Sequence, residues 1–270
     1  KRNGLDSVVL SMLSDSGFKT DAKICNDRLE ALRAAIIEAP IDPVFFGEVL
    51  DLINELGKYR RLRFRSSTNA EDLEEFNGAG LYGSFTGRLD KSEQSVKQAI
   101  KSVWASLWNF RAFEEREYFR IDHRHVAMGI LVHRSFPDEE ANGVAITSNI
   151  YNSSIWGLTI DVQQGEISVV SPPAGVTSDQ FIFHTLYDNP FEEPVIEYLS
   201  RSNLTAGRTV LSESEVVQLA KYLMTIKTWF YLNIYNRQQK ISFPAFAMDV
   251  EFKFDSPERK LYIKQARPYK

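Results

Sequence analysis

The side chains with the clearest chemical potential lie near the end of the 270-residue chain. In Phe246-Ala247-Met248-Asp249-Val250-Glu251-Phe252, bulky apolar residues alternate with small or acidic ones. Successive side chains of a strand face opposite sides, so Asp249 and Glu251 share one face and Phe246, Met248, Val250 and Phe252 the other. In Leu261-Tyr262-Ile263-Lys264-Gln265-Ala266-Arg267-Pro268, the same spacing puts Gln265 and Arg267 on a common face. If a hairpin register brings Glu251 and Gln265 to the same side, a carboxylate, an amide and a guanidinium meet on one patch. Carboxylate oxygens suit a hard divalent cation, and a guanidinium suits a polyphosphate. The plain alternative is a solvated strand face with a surface ion pair.

A second group lies upstream, in Arg65-Ser66-Ser67-Thr68-Asn69-Ala70-Glu71-Asp72-Leu73 followed by Phe76-Asn77-Gly78-Ala79-Gly80-Leu81-Tyr82-Gly83-Ser84-Phe85. Arg65 ends a strand pattern, where a side chain is firmly held yet reaches outward. The Gly and Ser residues after it can offer backbone N–H groups to phosphate. No Gly-Lys-Ser/Thr follows and no dinucleotide fingerprint is present, so phosphate-binding loops of those two kinds are disfavoured.

The elements that must hold these groups are mixed. Leu29, Leu32, Ile36 and Ile37 predict a first helix that Asn26 could cap, and Asp42-Pro43 predicts the start of a second, stopped by Gly57. Leu62–Arg65 reads as a strand. Asp90 with Glu93 predicts a capping box opening one long helix through Phe110. Val126–Val132 and Gly143–Thr147 read as buried strands, and Gly157–Val170 as strand, turn at Gln164-Gly165, and strand. Residues 171–210 read as loops with short helical pieces. Ser212 and Glu215 predict a capping box before another long helix, and two strands, Ala245–Phe254 and Leu261–Arg267, close the chain. The expected class is α+β, with mostly antiparallel strands.

Composition sets outer bounds. Apolar content of 43% and charged content of 25% are those of a globular chain. No apolar run reaches the roughly 18 residues of a membrane span. The net charge of -4 shows no basic stripe for nucleic acid. Cys25 is the single cysteine, which excludes an internal disulfide and fits a reducing, cytoplasmic setting. His123 and His125 are read as a surface turn, His184 as packing at an element edge, and Trp104, Trp108, Phe110, Phe113 and Tyr118 as core.

The order Arg65-Ser66-Ser67, Ala70-Glu71-Asp72-Leu73, Asp249-Val250-Glu251 and Gln265-Ala266-Arg267-Pro268 resembles the ATP-grasp nucleotide-binding domain of the phosphoenolpyruvate synthase and pyruvate, phosphate dikinase family. The likeness runs from about residue 26 to the end, and Gly80-Leu81-Tyr82 also resembles glucan, water dikinases. The resemblance implies an ATP-grasp-like, mostly antiparallel sheet packed by long helices. It implies a helical segment over residues 1–60 and the nucleotide domain over 61–270, truncated at its N-terminal side so that a phosphate-binding lysine of the family falls outside it.

By the same resemblance, Arg65 contacts nucleotide phosphates and Glu251 binds magnesium, with Asp249 beside it. Gln265 and Arg267 grip metal-bound phosphate, and Arg267 stabilises charge on the transferred group. Backbone at Leu131 to His133 would meet the adenine. ATP and Mg are the implied cofactors, and the implied partners are phosphohistidine and pyruvate-binding domains of the same longer protein. Nucleic acid and membrane are not expected as partners. ATP would phosphorylate a histidine that passes the phosphoryl group to pyruvate, and the isolated chain would bind ATP without turnover. Two other readings stay open: a dikinase with a glucan or antibiotic hydroxyl as acceptor, and a non-catalytic ATP-grasp binding or regulatory module.

Overall fold

The structure, a computed structural model, describes residues 3–55, 59–70, 78, 80–136, 139–185, 190–235 and 241–269. They fall into two compact units, Lys1–Ser135 and Phe136–Lys270.

The first unit holds helices α1 (Leu5–Ser14), α2 (Ala22–Glu38) and α3 (Pro43–Glu55), strands β1 (Arg61–Thr68) and β2 (Phe85–Arg88), helices α4 (Glu93–Ser106) and α5 (Phe110–Tyr118), and strand β3 (Met128–Arg134). Its sheet is antiparallel, in the order β2-β1-β3. Leu62 and Phe64 on β1 pack with Phe46, Ile53, Val96, Ile100 and Val103 of α3 and α4. A second core joins Leu29 and Leu32 of α2 to Trp108 and Phe113 around α5.

Several starts differ from expectation for local reasons. Asp21, not Asn26, caps α2, accepting from the Lys23 and Ile24 amides. Asp42 caps α3 as predicted, whereas Gly57, its expected stop, lies outside the described residues. Asp90 is held by Arg88 instead of capping, and Ser92 accepts from the Ser95 amide to start α4. The long helix expected through Phe110 is two helices. Asn109 breaks it, its side chain accepting from the Ala112 amide and donating to the Leu81 carbonyl. Tyr118, the last residue of α5, is 81% exposed rather than in the core.

The second unit holds strands β4 (Glu139–Ile146), β5 (Gly157–Gln164), β6 (Asp179–His184) and β7 (Ile196–Ser200), helix α6 (Glu213–Phe230), and strands β8 (Met248–Asp255) and β9 (Lys260–Pro268). They form one antiparallel sheet in the order β7-β6-β5-β4-β8-β9. The predicted box at Ser212 and Glu215 is present. One sheet face packs on α6 through Ile160, Phe181, Val250, Phe252, Leu219 and Leu223.

The strand expected after Gly165 does not form. Gly165 turns the chain with φ of 71°, and β5 pairs instead with β6, inside the stretch read as loops. Buried side chains order that stretch: Asp179 accepts from the Ser202 and Val210 amides, and Gln163 donates to the Thr177 carbonyl. Gly143 is required where β4, β5 and β8 crowd, since a Cβ there would strike the Asp161 carbonyl and the Phe252 ring.

Candidate functional site

The β8–β9 register decides where the chemistry sits. Asp249 lies opposite Arg267, and Glu251 opposite Gln265. Directly opposed residues of an antiparallel pair share a face, so all four project from the face away from α6.

Strict alternation along β9 would not do this. Leu261 and Ile263 belong to the α6 core, and a period of two from them would carry Gln265 and Arg267 into it. The register instead shifts between Glu251 and Phe252, so that Ile263 opposes Phe252 and Lys264 is the extra residue. This bulge reverses the phase of the strand, sending Ala266 to the core and Gln265 and Arg267 to the polar face. Lys264 is thereby brought to Glu251, its Nζ 3.2 Å from Oε2. Arg267 donates to Asp249 Oδ2 from both Nε and Nη2, at 2.9 and 2.8 Å.

The same face continues inward. Val144 of β4 lies between Glu251 of β8 and Asp161 of β5, and Ile146 lies beside Asp249. Burial pushes the Asp161 carboxyl up, against a hydrogen bond with Ser178. Its Oδ1 has no hydrogen-bond partner among the described residues. Lys253, next along β8, is tied to Glu139. The face thus carries acid–base pairs plus one half-buried carboxylate.

In the first unit, Arg61, Arg63 and Arg65 alternate with the core residues Leu62 and Phe64, so the three arginines share the opposite face. Arg65 lies opposite Leu131 and Arg63 opposite His133. Leu131 is 57% exposed, and His133 Nδ1 donates to the Arg134 carbonyl at 2.6 Å. Among the described residues β3 pairs only with β1, which leaves its other backbone edge without a strand partner. Glu71, Asp72, Leu73, Phe76, Asn77 and Ala79 lie outside the described residues.

His123 corrects the sequence reading. It does sit in a turn, His123–His125, but it is 5% exposed and stacked on Phe113 at 4.1 Å. Burial, then the nearby Arg116 charge, lowers its pKa to about 4. Cys25 is buried, and its thiol is pushed up to about 11, chiefly by desolvation. Sequence reasoning missed Lys264, whose role depends on a bulge that alternation does not reveal. It also missed Asp161, whose only signal was a lone acid flanked by Ile160 and Val162 in a strand.

Among the described residues no group of three or more His, Cys, Asp and Glu is assembled to hold a metal alone. Two carboxylates with an adjacent amide do fit a cation that keeps waters and takes its other ligands from phosphates. No helix among the described residues is long and apolar enough to cross a membrane.

The chain is thus α+β with antiparallel sheets, the larger of which carries carboxylates, an amide and an arginine on one polar face. The family described as Pyruvate phosphate dikinase, AMP/ATP-binding domain, matches residues 1–270, and the chain belongs to it. Phosphoenolpyruvate synthase of Aeropyrum pernix is 27% identical over 290 residues, covering 88% of this chain and 33% of that protein. The Pyrococcus furiosus enzyme of that name is 28% identical (92% and 31% covered), and that of Neisseria meningitidis 26% (98% and 35%). The chain spans about a third of the length of these curated relatives.

Proposed function

We propose that this chain is the nucleotide-binding part of a dikinase-type phosphotransferase resembling phosphoenolpyruvate synthase. ATP would phosphorylate a histidine on another domain of the same longer protein, and that histidine would pass the phosphoryl group to pyruvate. A reducing, cytoplasmic setting goes with this reading. Residues 61–270 carry the nucleotide contacts, and residues 1–60 support them as a helical segment.

The observation that carries the reading is the bulge-set face of β8 and β9. Asp249 and Glu251 are paired with Arg267 and Lys264. A bound triphosphate would draw Arg267 and Lys264 toward its oxygens, leaving the Asp249 and Glu251 carboxylates to hold a divalent cation. Charge is conserved by exchange, so neither the acids nor the bases are left unpaired. Glu251, Gln265 and Asp249 would hold the metal, which when bound would offset the phosphate charge that repels the nucleophile. Arg267 stays on the transferring phosphoryl group and stabilises its equatorial oxygens. Arg65 is assigned to nucleotide phosphates. The β3 backbone at Leu131 to His133 is assigned to adenine, whose edge needs one donor and one acceptor.

The test is to incubate the full-length protein with ATP labelled in its terminal phosphates, with and without pyruvate. Label that is acid-labile, base-stable and discharged by pyruvate is expected. Absence of protein-bound label would reject the phosphotransferase reading. Label discharged by a glucan or an antibiotic hydroxyl, and not by pyruvate, would reject the acceptor alone.

A further inference from the structure

A buried cation in the first unit is wired to the backbone just past the end of β1, the strand that carries Arg65. Arg116 on α5 is fully buried. It donates from Nη2 to the Leu107 carbonyl at 2.8 Å, from Nε to His123 Nδ1 at 3.1 Å, and from Nη1 to the Tyr82 hydroxyl at 3.2 Å. The direction of donation is fixed by chemistry. A guanidinium only donates, so His123 Nδ1 accepts and its proton sits on Nε2. That N–H goes to Glu117 Oε1 at 2.7 Å, which also accepts from Lys19 at 2.6 Å. The Tyr82 oxygen likewise accepts from Arg116, and its hydrogen goes to the Ala70 carbonyl at 3.3 Å.

The segment so reached is held from other sides too. Thr68 Oγ1 accepts from the Ala70 amide at 3.2 Å. Asn69 donates to the His125 carbonyl and accepts from the Ala127 amide, both at 2.9 Å. An apolar side chain could fill the space of Arg116 without the cost of burying a guanidinium. What the arginine adds is direction, because it fixes the hydroxyl that fixes Ala70.

We propose that Arg116 and Tyr82 are positioning residues for nucleotide phosphate, holding the backbone from Arg65 to Ala70 in its binding shape. This rests on the assignment of Arg65 to phosphates made above. The test measures Mg·ATP and adenosine affinity of the full-length protein and its Tyr82→Phe, Arg116→Lys and Arg65→Ala variants. Losing one such hydrogen bond is expected to weaken Mg·ATP about fivefold and leave adenosine, which lacks phosphates, unchanged. Arg116→Lys keeps the charge, loses the fork and should match Tyr82→Phe. Combining Tyr82→Phe with Arg65→Ala should weaken binding no further than Arg65→Ala alone, because the hydroxyl acts through that segment.

Equal losses for ATP and adenosine, or additive losses in the double variant, would overturn the positioning role. So would unchanged Mg·ATP binding in Tyr82→Phe while Arg65→Ala weakens it. If Arg65→Ala leaves Mg·ATP unchanged, the phosphate assignment of Arg65 fails and the positioning role falls with it.

Discussion

Deleting Lys264 tests the claim that one extra residue sets the polar face. A regular β9 without a bulge would oppose Glu251 to Lys264, Asp249 to Ala266 and Met248 to Arg267. The guanidinium would then enter the core where Met248 and Val250 are fully buried. An unpaired buried charge costs several kcal/mol, whereas a bulge forgoes about one ladder hydrogen bond, roughly 1 kcal/mol. The intact sequence therefore bulges. In the deletion variant Gln265 follows Ile263 directly, and strict alternation already sends Gln265 and Arg267 to the polar face. The variant should fold in the same register and lose only the Lys264–Glu251 pair, whose Lys264 side chain is 21% exposed. A pair of that kind contributes up to about 1 kcal/mol, or about 2–4 °C of melting temperature. Calorimetric melting, with Lys264→Ala as a control for the side chain, reads this directly. A deletion that abolishes folding, or costs several kcal/mol more than Lys264→Ala, would refute the reasoning.

Burial raises the Asp161 carboxyl above its ordinary value. The fold therefore binds more protons than the unfolded chain just above pH 3.8, and stability falls as pH climbs through that window. Asp161→Asn removes the half-buried charge and should stabilise by about 1 kcal/mol at pH 7. A lower melting temperature at pH 7 would show that Oδ1 has a partner. Desolvation brings Lys227, which donates to the Thr147 carbonyl, down to about 8 from 10.5. The fold binds fewer protons than the unfolded chain between those values, so this lysine's contribution to stability rises with pH there, by at most about 3 kcal/mol. Because Cys25, raised to about 11, works in the opposite direction above pH 9, the readout is wild type minus Lys227→Met. A difference independent of pH from 7 to 10 would contradict the assignment. Asp179→Ala leaves the buried amides of Ser202 and Val210 without an acceptor. It should cost about 3–5 kcal/mol in denaturant unfolding, with a loss under 1 kcal/mol counting against the role given to Asp179.

Strong periodicity was readable in the sequence. The helix from Glu213, with its Ser212 cap, and the acid faces of β8 follow from spacing alone. What stayed hidden depends on contacts remote in sequence. Residues 171–210 look like loop because they are rich in Pro, Asn, Asp, Ser and Thr, yet β6 forms there, its buried Phe181 and Phe183 facing the α6 core and Asp179 and Gln163 satisfying the turns around it. The face of Asp249, Glu251, Gln265 and Arg267 was legible as residue types, but their meeting depends on a phase reversal at Lys264 that no propensity encodes. His123 read as surface because its neighbours Asp122, Arg124 and His125 are polar, whereas the aromatic wall of Phe113 and the Arg116 fork bury it.

The central claim is that the polar edge of β8 and β9 grips metal-bound triphosphate. Its most direct test is calorimetric titration of Mg·ATP into the full-length protein and its Glu251→Ala and Arg267→Ala variants. Each substitution removes a charge-assisted contact worth about 1.5–3 kcal/mol, so each should weaken binding at least about tenfold. The loss in Glu251→Ala should shrink when magnesium is withheld. Wild-type affinity in both variants would contradict the assignment.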